Sequence, residues 1–447
     1  MRIAVVSIFV VACGGPLLAC GGTTPSPDAP GPLEPTANPA REIVDTKLSF
    51  DIAATKGTAR ITFGASEMPG ATLEVGELVI ESITIAGEVP VEFRMNAPDL
   101  AAKNADGATI DLALAASTEP IEVAITYTYK AHAGGFTGAT AKGYTLIWPY
   151  YCGNLFPCHS APSDGTPISL DLVNVPADKV AVYPATLAEA PSYQIAWAIE
   201  QYTEVPLGTT TAGTQVSVWH LPGGETAAMT GTQNLVAAFD WLEKTIGPYR
   251  FGTKVGSVSV RWGSGALGGM EHHPLWHLGS GAMANQETHV HEAAHGWYGD
   301  GIRLACWEDF VLSEGTVSYL AGRALDVVAP ALGTEVWNGY AAELSAIPGT
   351  EKVWPTGCNS LDILDDDLFT RAPYVRGAFF YRGLAQKLGA DAVDRVLAAF
   401  YAQHGGKAAS MSEMLALIQS MTGYDPAACA ETWLKAAVTP SAPAACP

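Results

Sequence analysis

The stretch ETHVHEAAHGWYGDGIRLACWEDFVLSEGTVSYL, Glu287 to Leu320, decides how this chain is read. The sequence holds only 10 histidines in 447 residues, yet His289, His291 and His295 fall within seven positions and glutamates bracket them. On a helix, His291 and His295 lie about 40° apart and one turn along the same face, so both imidazoles point at one ion. Glu292 flanks that point from the side, where it can take a proton from activated water without being a ligand. His289 points away from the face and is expected at the surface or behind a ligand. A catalytic zinc site needs a third protein donor and an open fourth position. Glu314 is the candidate: Gly296, Gly299 and Gly301 end the first helix, and LSEGTVSYLAGRALDVV resumes a helical pattern with Glu314 in its first turn. A helix, a reversing loop and a second helix bring that carboxylate back against the histidines. The competing reading is a surface helix with polar residues. A random chain of this composition would contain His-Glu-x-x-His on the order of one time in a hundred, so the flanking sequence has to decide.

Composition sets the frame around the motif. Apolar residues make up 48% and charged residues 15%, with glycine and proline plentiful, which indicates a globular, loop-rich protein of two or three domains. The formal charge is -21, from 45 acidic against 24 basic side chains. Such a surface repels phosphate backbones, so no nucleic-acid partner is expected, and the charge reads as solubility. The acidic run LDILDDDLF lacks the glycine and spacing of a calcium loop and reads as a solvated turn.

Residues 1–20 have the form of a lipoprotein signal peptide: Arg2, then an apolar run from Ile3 to Ala12 too short to span a bilayer. Both VVAC at Cys13 and LLAC at Cys20 resemble the bacterial lipobox. Cys20 is preferred because its preceding apolar segment is longer, and an ordinary secretory signal is the alternative. The expected location is the periplasm or cell surface, held to a bacterial membrane by lipid. Residues 21–42 are rich in proline and threonine without apolar period and read as a disordered tether. The six remaining cysteines favour disulfides in an exported chain. Fifteen connectivities are possible; the near pairs Cys152–Cys158 and Cys429–Cys446 are expected, leaving Cys306 with Cys358.

From 43 to 206 short alternating runs such as KLSFDIAA, TARITFGA and IEVAITYTYKA are separated by turn residues, which indicates an antiparallel β domain. From 207 to 447 the texture becomes mostly helical, beginning with TQNLVAAFDWLEKTIG, with strands such as VGSVSVRW before the histidines. The fold class is therefore α+β, multidomain.

Four ordered motifs resemble the M1 metallopeptidases, the aminopeptidase N and leukotriene A4 hydrolase group. HEAAHGWYGDGIRLACWEDFVLSEGTVSYL is similar to that family's zinc region, including the gluzincin spacing of eighteen residues between His295 and Glu314. GGMEHH from Gly268 resembles its Gly-x-Met-Glu-Asn segment, and PYVRGAFFYRGLAQKLG from Pro373 its Tyr-x-Lys-Gly helix. FPC at Phe156 to Cys158, with the strands after it, resembles its N-terminal saddle domain. The resemblance implies a β saddle followed by a thermolysin-like catalytic domain holding one zinc ion, with His291, His295 and Glu314 as ligands. It implies Glu292 as general base, Tyr374 as hydrogen-bond donor to the oxyanion, and Glu271 as receptor for the substrate's free amine. Gly268, Gly269 and Met270 would pair with an extended peptide as an added edge strand.

Departures from the family pattern are informative. His272 stands where the family has asparagine, and Arg376 where it has lysine. Trp148 falls where a second amine-binding Glu or Gln is usual, and no Glu or Gln lies between Gly143 and Cys158. A one-carboxylate clamp holds an amine less firmly. The sequence also runs only to about the end of the family's catalytic domain, so a more open cleft is expected. The reading is thus a monomeric zinc peptidase that removes N-terminal residues from peptides, against a surface lipoprotein that uses the same fold to bind peptides with little catalysis.

Overall fold

Alternating burial along residues 43–63 builds the first sheet. The computed structural model describes residues 33–98, 107–135, 137–263, 268–440 and 442–447. Strands β1 (Ile43–Asp51), β2 (Lys56–Phe63), β3 (Val79–Ile85), β4 (Val89–Pro90), β5 (Ile121–Thr128), β6 (Thr166–Val173) and β7 (Thr186–Ala190) form one sheet in the order β7-β6-β1-β2-β5-β3-β4. Leu48, Phe50, Ile61, Phe63, Val123 and Ile125 point to one face and are buried there. Each such side chain contributes roughly 1.5–3 kcal/mol by leaving water. Within this sheet the expected antiparallel arrangement needs one correction: β1 pairs with β6 in parallel, Thr46 opposite Ile168 through Asp51 opposite Val173. A parallel partner more than a hundred residues away leaves no local turn signal.

The tether is shorter than expected at its C-terminal end. Asn38 is 3% and Arg41 1% exposed, and Arg41 Nη1 donates to the carbonyls of Gly70 and Ala115 at 3.0 Å each. The expected signal peptide, Cys13 and Cys20 lie outside the described residues.

A second sheet carries the site. Strands β8 (Thr203–Thr209), β9 (Gln215–His220), β10 (Lys254–Val260), β11 (Gly269–Met270) and β12 (Leu275–Gly279) follow the order β8-β9-β10-β12-β11. The strand β11 is therefore an edge, antiparallel to β12. Helix α2 (Leu235–Thr245) is the helix read from TQNLVAAFDWLEKTIG, and a short helix α1 (Glu225–Gly231) precedes that stretch. The remaining helices used below are α3 (Gln286–Ala294), α4 (Phe310–Val328), α5 (Pro330–Leu344) and α6 (Arg371–Leu388). Among the described residues no helix is long and apolar enough to cross a membrane. All six cysteines outside the signal region are paired, Cys152–Cys158, Cys306–Cys358 and Cys429–Cys446.

The crossing of α4 and α6 positions the chemistry. A Cβ at Gly377 would sit 2.5 Å from the Gly315 Cα and 2.8 Å from Val311 Cγ2. The two helices touch backbone to backbone there, which brings Glu314 and Tyr374 to one side of the crossing. Gly377→Ala is expected to cost about 1–2 kcal/mol net, because helix separation outweighs the gain in helix propensity. Its thermal midpoint and kcat should fall together; an alanine variant with unchanged kcat would mean that the close crossing does not set the site.

Candidate active site

Helix α3 begins cleanly. The Asn285 side chain accepts hydrogen bonds from the backbone N–H of Glu287 at 3.0 Å and of Thr288 at 3.3 Å, capping the first turn. His295 follows the last helical residue but keeps right-handed dihedrals, φ -59 and ψ -23, so its four-residue offset from His291 places both rings together. Their Nε2 atoms are 3.3 Å apart. The turn then reverses at Gly299, whose φ of +105 few side chains adopt and where a Cβ would lie 2.7 Å from His295 Nδ1. A short 3-10 turn, Trp307–Asp309, leads into α4. Glu314 is thus in the second turn of its helix, not the first, because the helix starts at Phe310.

Glu314 Oε2 lies 3.1 Å from His291 Nε2 and 3.5 Å from His295 Nε2. One donor atom from each residue falls within 4.8 Å of the others, and all three residues are buried. Burial alone would raise the Glu314 carboxyl, but the charge on His295 and the bonds from both histidines draw it down to about 2. The His295 ring is oriented from behind, with Nδ1 3.0 Å from the Tyr298 carbonyl oxygen. In the neutral ring that binds a metal, that contact keeps the proton on Nδ1 and leaves Nε2 to ligate. Two imidazoles and a carboxylate converging on one point form a zinc donor set.

Residues 278–433 match the peptidase family M1 domain. Leucine aminopeptidase 2 of Neurospora crassa is 25% identical over 288 residues, covering 57% of this chain and 41% of the relative. The chain thus spans less than half the length of that curated relative. The M1 zinc metallopeptidase from Deinococcus radiodurans superposes with a TM-score of 0.74 at 18% identity, covering 90% of this chain and 95% of that one. Yeast LTA4 hydrolase gives a TM-score of 0.73 at 16% identity, covering 90% and 69%. The fold is that of these solved M1 structures, a β-rich domain followed by a helical one, and a match to this domain family implies a zinc ion. The His291, His295 and Glu314 donor set fits that ion.

Around the donors lies a cleft of about 350 Å³ lined also by Trp148, Gly268, Gly269, Met270, Glu271, Glu292, Phe369, Arg371 and Tyr374. Carboxylate oxygens of Glu271 and Glu292 and a ring nitrogen of His295 lie within 4.8 Å of one another. Burial pushes the Glu292 carboxyl well above the usual range, with His295 opposing and Glu271 and Glu314 adding to the shift. Burial also raises Glu271, to about 7. A Cβ at Gly269 would collide with the Glu292 carboxylate, so the glycine of the edge strand makes room for that side chain. Behind it, His273 bridges Tyr249 and the main chain: Nδ1 is 2.7 Å from the Tyr249 hydroxyl and Nε2 2.7 Å from the Glu292 carbonyl. Tyr374 is half-buried, its ring stacked on His291 with centroids 5.9 Å apart and the Arg371 guanidinium 5.0 Å from its ring centroid.

His289 is not at the surface: it is fully buried, with Nδ1 2.7 Å from Ser257 Oγ and Nε2 2.9 Å from the Met283 carbonyl. Arg376 is also fully buried and ties down the C-terminal segment, donating to the carbonyls of Trp433 at 2.9 Å and Ala436 at 2.8 Å. The sequence reading missed Tyr193 and Asp300. The Tyr193 hydroxyl donates to Asp300 Oδ1 at 3.3 Å in the wall behind the donors. Only the position of Asp300, next to the reversing Gly299, hinted at it.

His272 packs edge-on to His277 at 4.6 Å between centroids, and neither His272 ring nitrogen has a protein hydrogen-bond partner among the described residues. Burial holds His277 neutral down to about 3 and His272 well below its usual value. Unfolding lets both rings take up protons below about 6.5, so stability is full above that pH and is lost as pH falls from about 6.5 toward 3. Each group contributes a slope of up to about 1.4 kcal/mol per pH unit. His277→Leu should flatten the dependence by one group's share, measured as urea midpoints between pH 7 and 4; an unchanged slope would show that this ring is already protonated in the fold.

Proposed function

We propose that the chain is a zinc-dependent aminopeptidase that removes the first residue from peptides with a free amino terminus. The observation that carries this reading is the meeting of three metal donors, the glutamate Glu292 and the separate carboxylate Glu271 in one cleft beside an edge strand. The names of the relatives, leucine aminopeptidase and aminopeptidase N, support the same reading. When bound, zinc supplies a Lewis acid that polarises the scissile carbonyl and lowers the pKa of water to about 7.

The chain's own residues do the rest. The edge strand Gly269–Met270 offers backbone groups to an extended peptide. Glu271 receives the terminal ammonium and so sets which bond reaches the donors. Glu292 takes the proton from the attacking water and passes it to the leaving amine. The Tyr374 hydroxyl, kept protonated because burial raises its pKa, donates to the oxygen on which negative charge develops. The paired cysteines support an oxidising compartment, and with the N-terminal sequence they support an exported, lipid-anchored protein; labelling with radioactive palmitate checks the anchor.

The test is zinc content of the purified protein together with hydrolysis of N-terminally free and N-acetylated forms of one peptide. About one zinc per chain and cleavage of the free form only are expected. Zinc without cleavage of either form would overturn the catalytic reading, and equal cleavage of both would overturn the amine-dependent one.

A further inference from the structure

One residue behind the cleft is bonded to the main chain of both glutamates that flank the metal donors. The His273 backbone N–H donates to the Glu271 carbonyl at 2.6 Å, and its ring Nε2 lies 2.7 Å from the Glu292 carbonyl. That second carbonyl needs a donor. Glu292 is in the last turn of α3, where carbonyls lack a partner within the helix. The Gly296 N–H that would continue the ladder goes instead to the Ala293 carbonyl at 3.3 Å. A histidine side chain delivered from beside the edge strand closes the helix end.

The ring is fixed by its partners and its walls. A carbonyl only accepts, so Nε2 carries the proton toward Glu292, and burial, which lowers the ring pKa to about 3, leaves Nδ1 bare. Nδ1 therefore accepts from the Tyr249 hydroxyl at 2.7 Å. Phe251 and Trp276 pack on the ring with centroids 5.9 and 5.1 Å away, and the Gln194 side-chain amide donates to the His273 carbonyl at 3.1 Å. Gly296 keeps the space open: a Cβ there would lie 2.5 Å from Tyr249 Cε2 and 2.9 Å from His273 Cε1. His273 itself is fully buried and is not part of the cleft lining, so it acts through other residues. We infer that His273 is a positioning residue for the hydrolysis: its backbone and ring together set the separation between Glu271, which receives the amine, and Glu292, which receives the proton. The roles of the two glutamates rest on the aminopeptidase reading. Because the bound amine fixes where the scissile bond lies, a base displaced from that point by about 1 Å loses rate rather than affinity.

Two amides at position 273 divide the two ring nitrogens, because a glutamine N–H reaches the place of Nε2 and an asparagine N–H only that of Nδ1. His273→Gln should keep kcat within about threefold, whereas His273→Asn should lower it roughly 10- to 100-fold with KM little changed. Tyr249→Phe leaves the Nε2 bond in place and should keep kcat within about threefold. It also keeps the test open if residue 273 accepts no change, since a tenfold loss there would move the role to the hydroxyl and overturn the assignment. The deciding comparison is His273→Asn made in the Glu292→Gln background. With the base already gone, the asparagine should cost less than about twofold more in kcat. Calorimetric binding of Ala-Ala-Ala to the zinc-loaded Glu292→Gln protein should be the same with and without His273→Asn, because the main-chain bond to Glu271 remains. Equal kcat in the Asn and Gln variants, or the same fractional loss in both backgrounds, overturns the positioning role and leaves the aminopeptidase reading standing. Absence of turnover in the unaltered protein, or full kcat in Glu292→Gln, overturns that reading and the inference with it.

Discussion

Glu292→Gln is expected to keep its zinc and to lose turnover by about 10²- to 10⁴-fold in kcat, with KM little changed. The amide matches the carboxylate in shape, so it fills the space that Gly269 leaves open and leaves His291, His295 and Glu314 in contact. What it lacks is a lone pair basic enough to take a proton. The loss therefore falls on the chemical step. The side chain is also a carboxylate almost wholly removed from water, 5% exposed, and burying such a charge is costly unless it is paired. A neutral isostere removes that cost. The variant should melt no lower than the parent, which makes misfolding a poor explanation for lost activity. Metal analysis, circular dichroism and steady-state kinetics on the same sample check the three statements. Retained kcat in a zinc-replete variant would place the base elsewhere.

The same site shows what a sequence carries and what it does not. The offset of four between His291 and His295 is a statement about one helical turn, and it survives even though His295 follows the last helical residue. Glu314 was legible from the helical restart and its spacing after His295, and Tyr374 only from the resemblance of its helix to a family motif. The structure supplies the reason: Gly315 and Gly377 meet where α4 crosses α6, so each motif places its functional side chain next to the point of closest approach. Sequence spacing records such a contact without naming the partner. The fate of His289 lay beyond that kind of reading. Its position two residues before His291 says only which face it leaves, whereas its burial depends on Ser257 and Met283, brought in by other parts of the chain. The parallel pairing of β1 with β6 and the packed end of the tether at Asn38 and Arg41 were missed for the same reason. Each is decided by contacts at long sequence separation, which override local pattern. Trp148 is the intermediate case: its identity was visible as a departure from a family pattern, but its aromatic neighbours Trp307, Phe310 and Phe369 come from distant segments.

Glu314→Gln is expected to abolish activity by a different route, through loss of the metal. Glu314 is the anionic member of the donor set and the only one delivered by α4, within 3.1 Å of His291 and 3.5 Å of His295. The amide removes the charge that offsets the ion and offers a weaker oxygen donor, so zinc bound after dialysis should fall from about one per chain to a small fraction. The parent protein treated with a strong chelator should behave alike, with one difference: added zinc restores the parent and not the variant. Because the ion binds the folded chain, its removal should also lower stability by roughly 4 kcal/mol where free zinc is a thousand times its dissociation constant. The melting temperature of the parent should therefore rise with added zinc, and that of Glu314→Gln should not. Together the two glutamate variants separate holding the ion from using it: one keeps metal and melting temperature while losing the proton step, the other loses all three. A Glu314→Gln protein that retained stoichiometric zinc and turnover would require the third donor to come from another residue, and the convergence of α3 and α4 would then have no catalytic meaning.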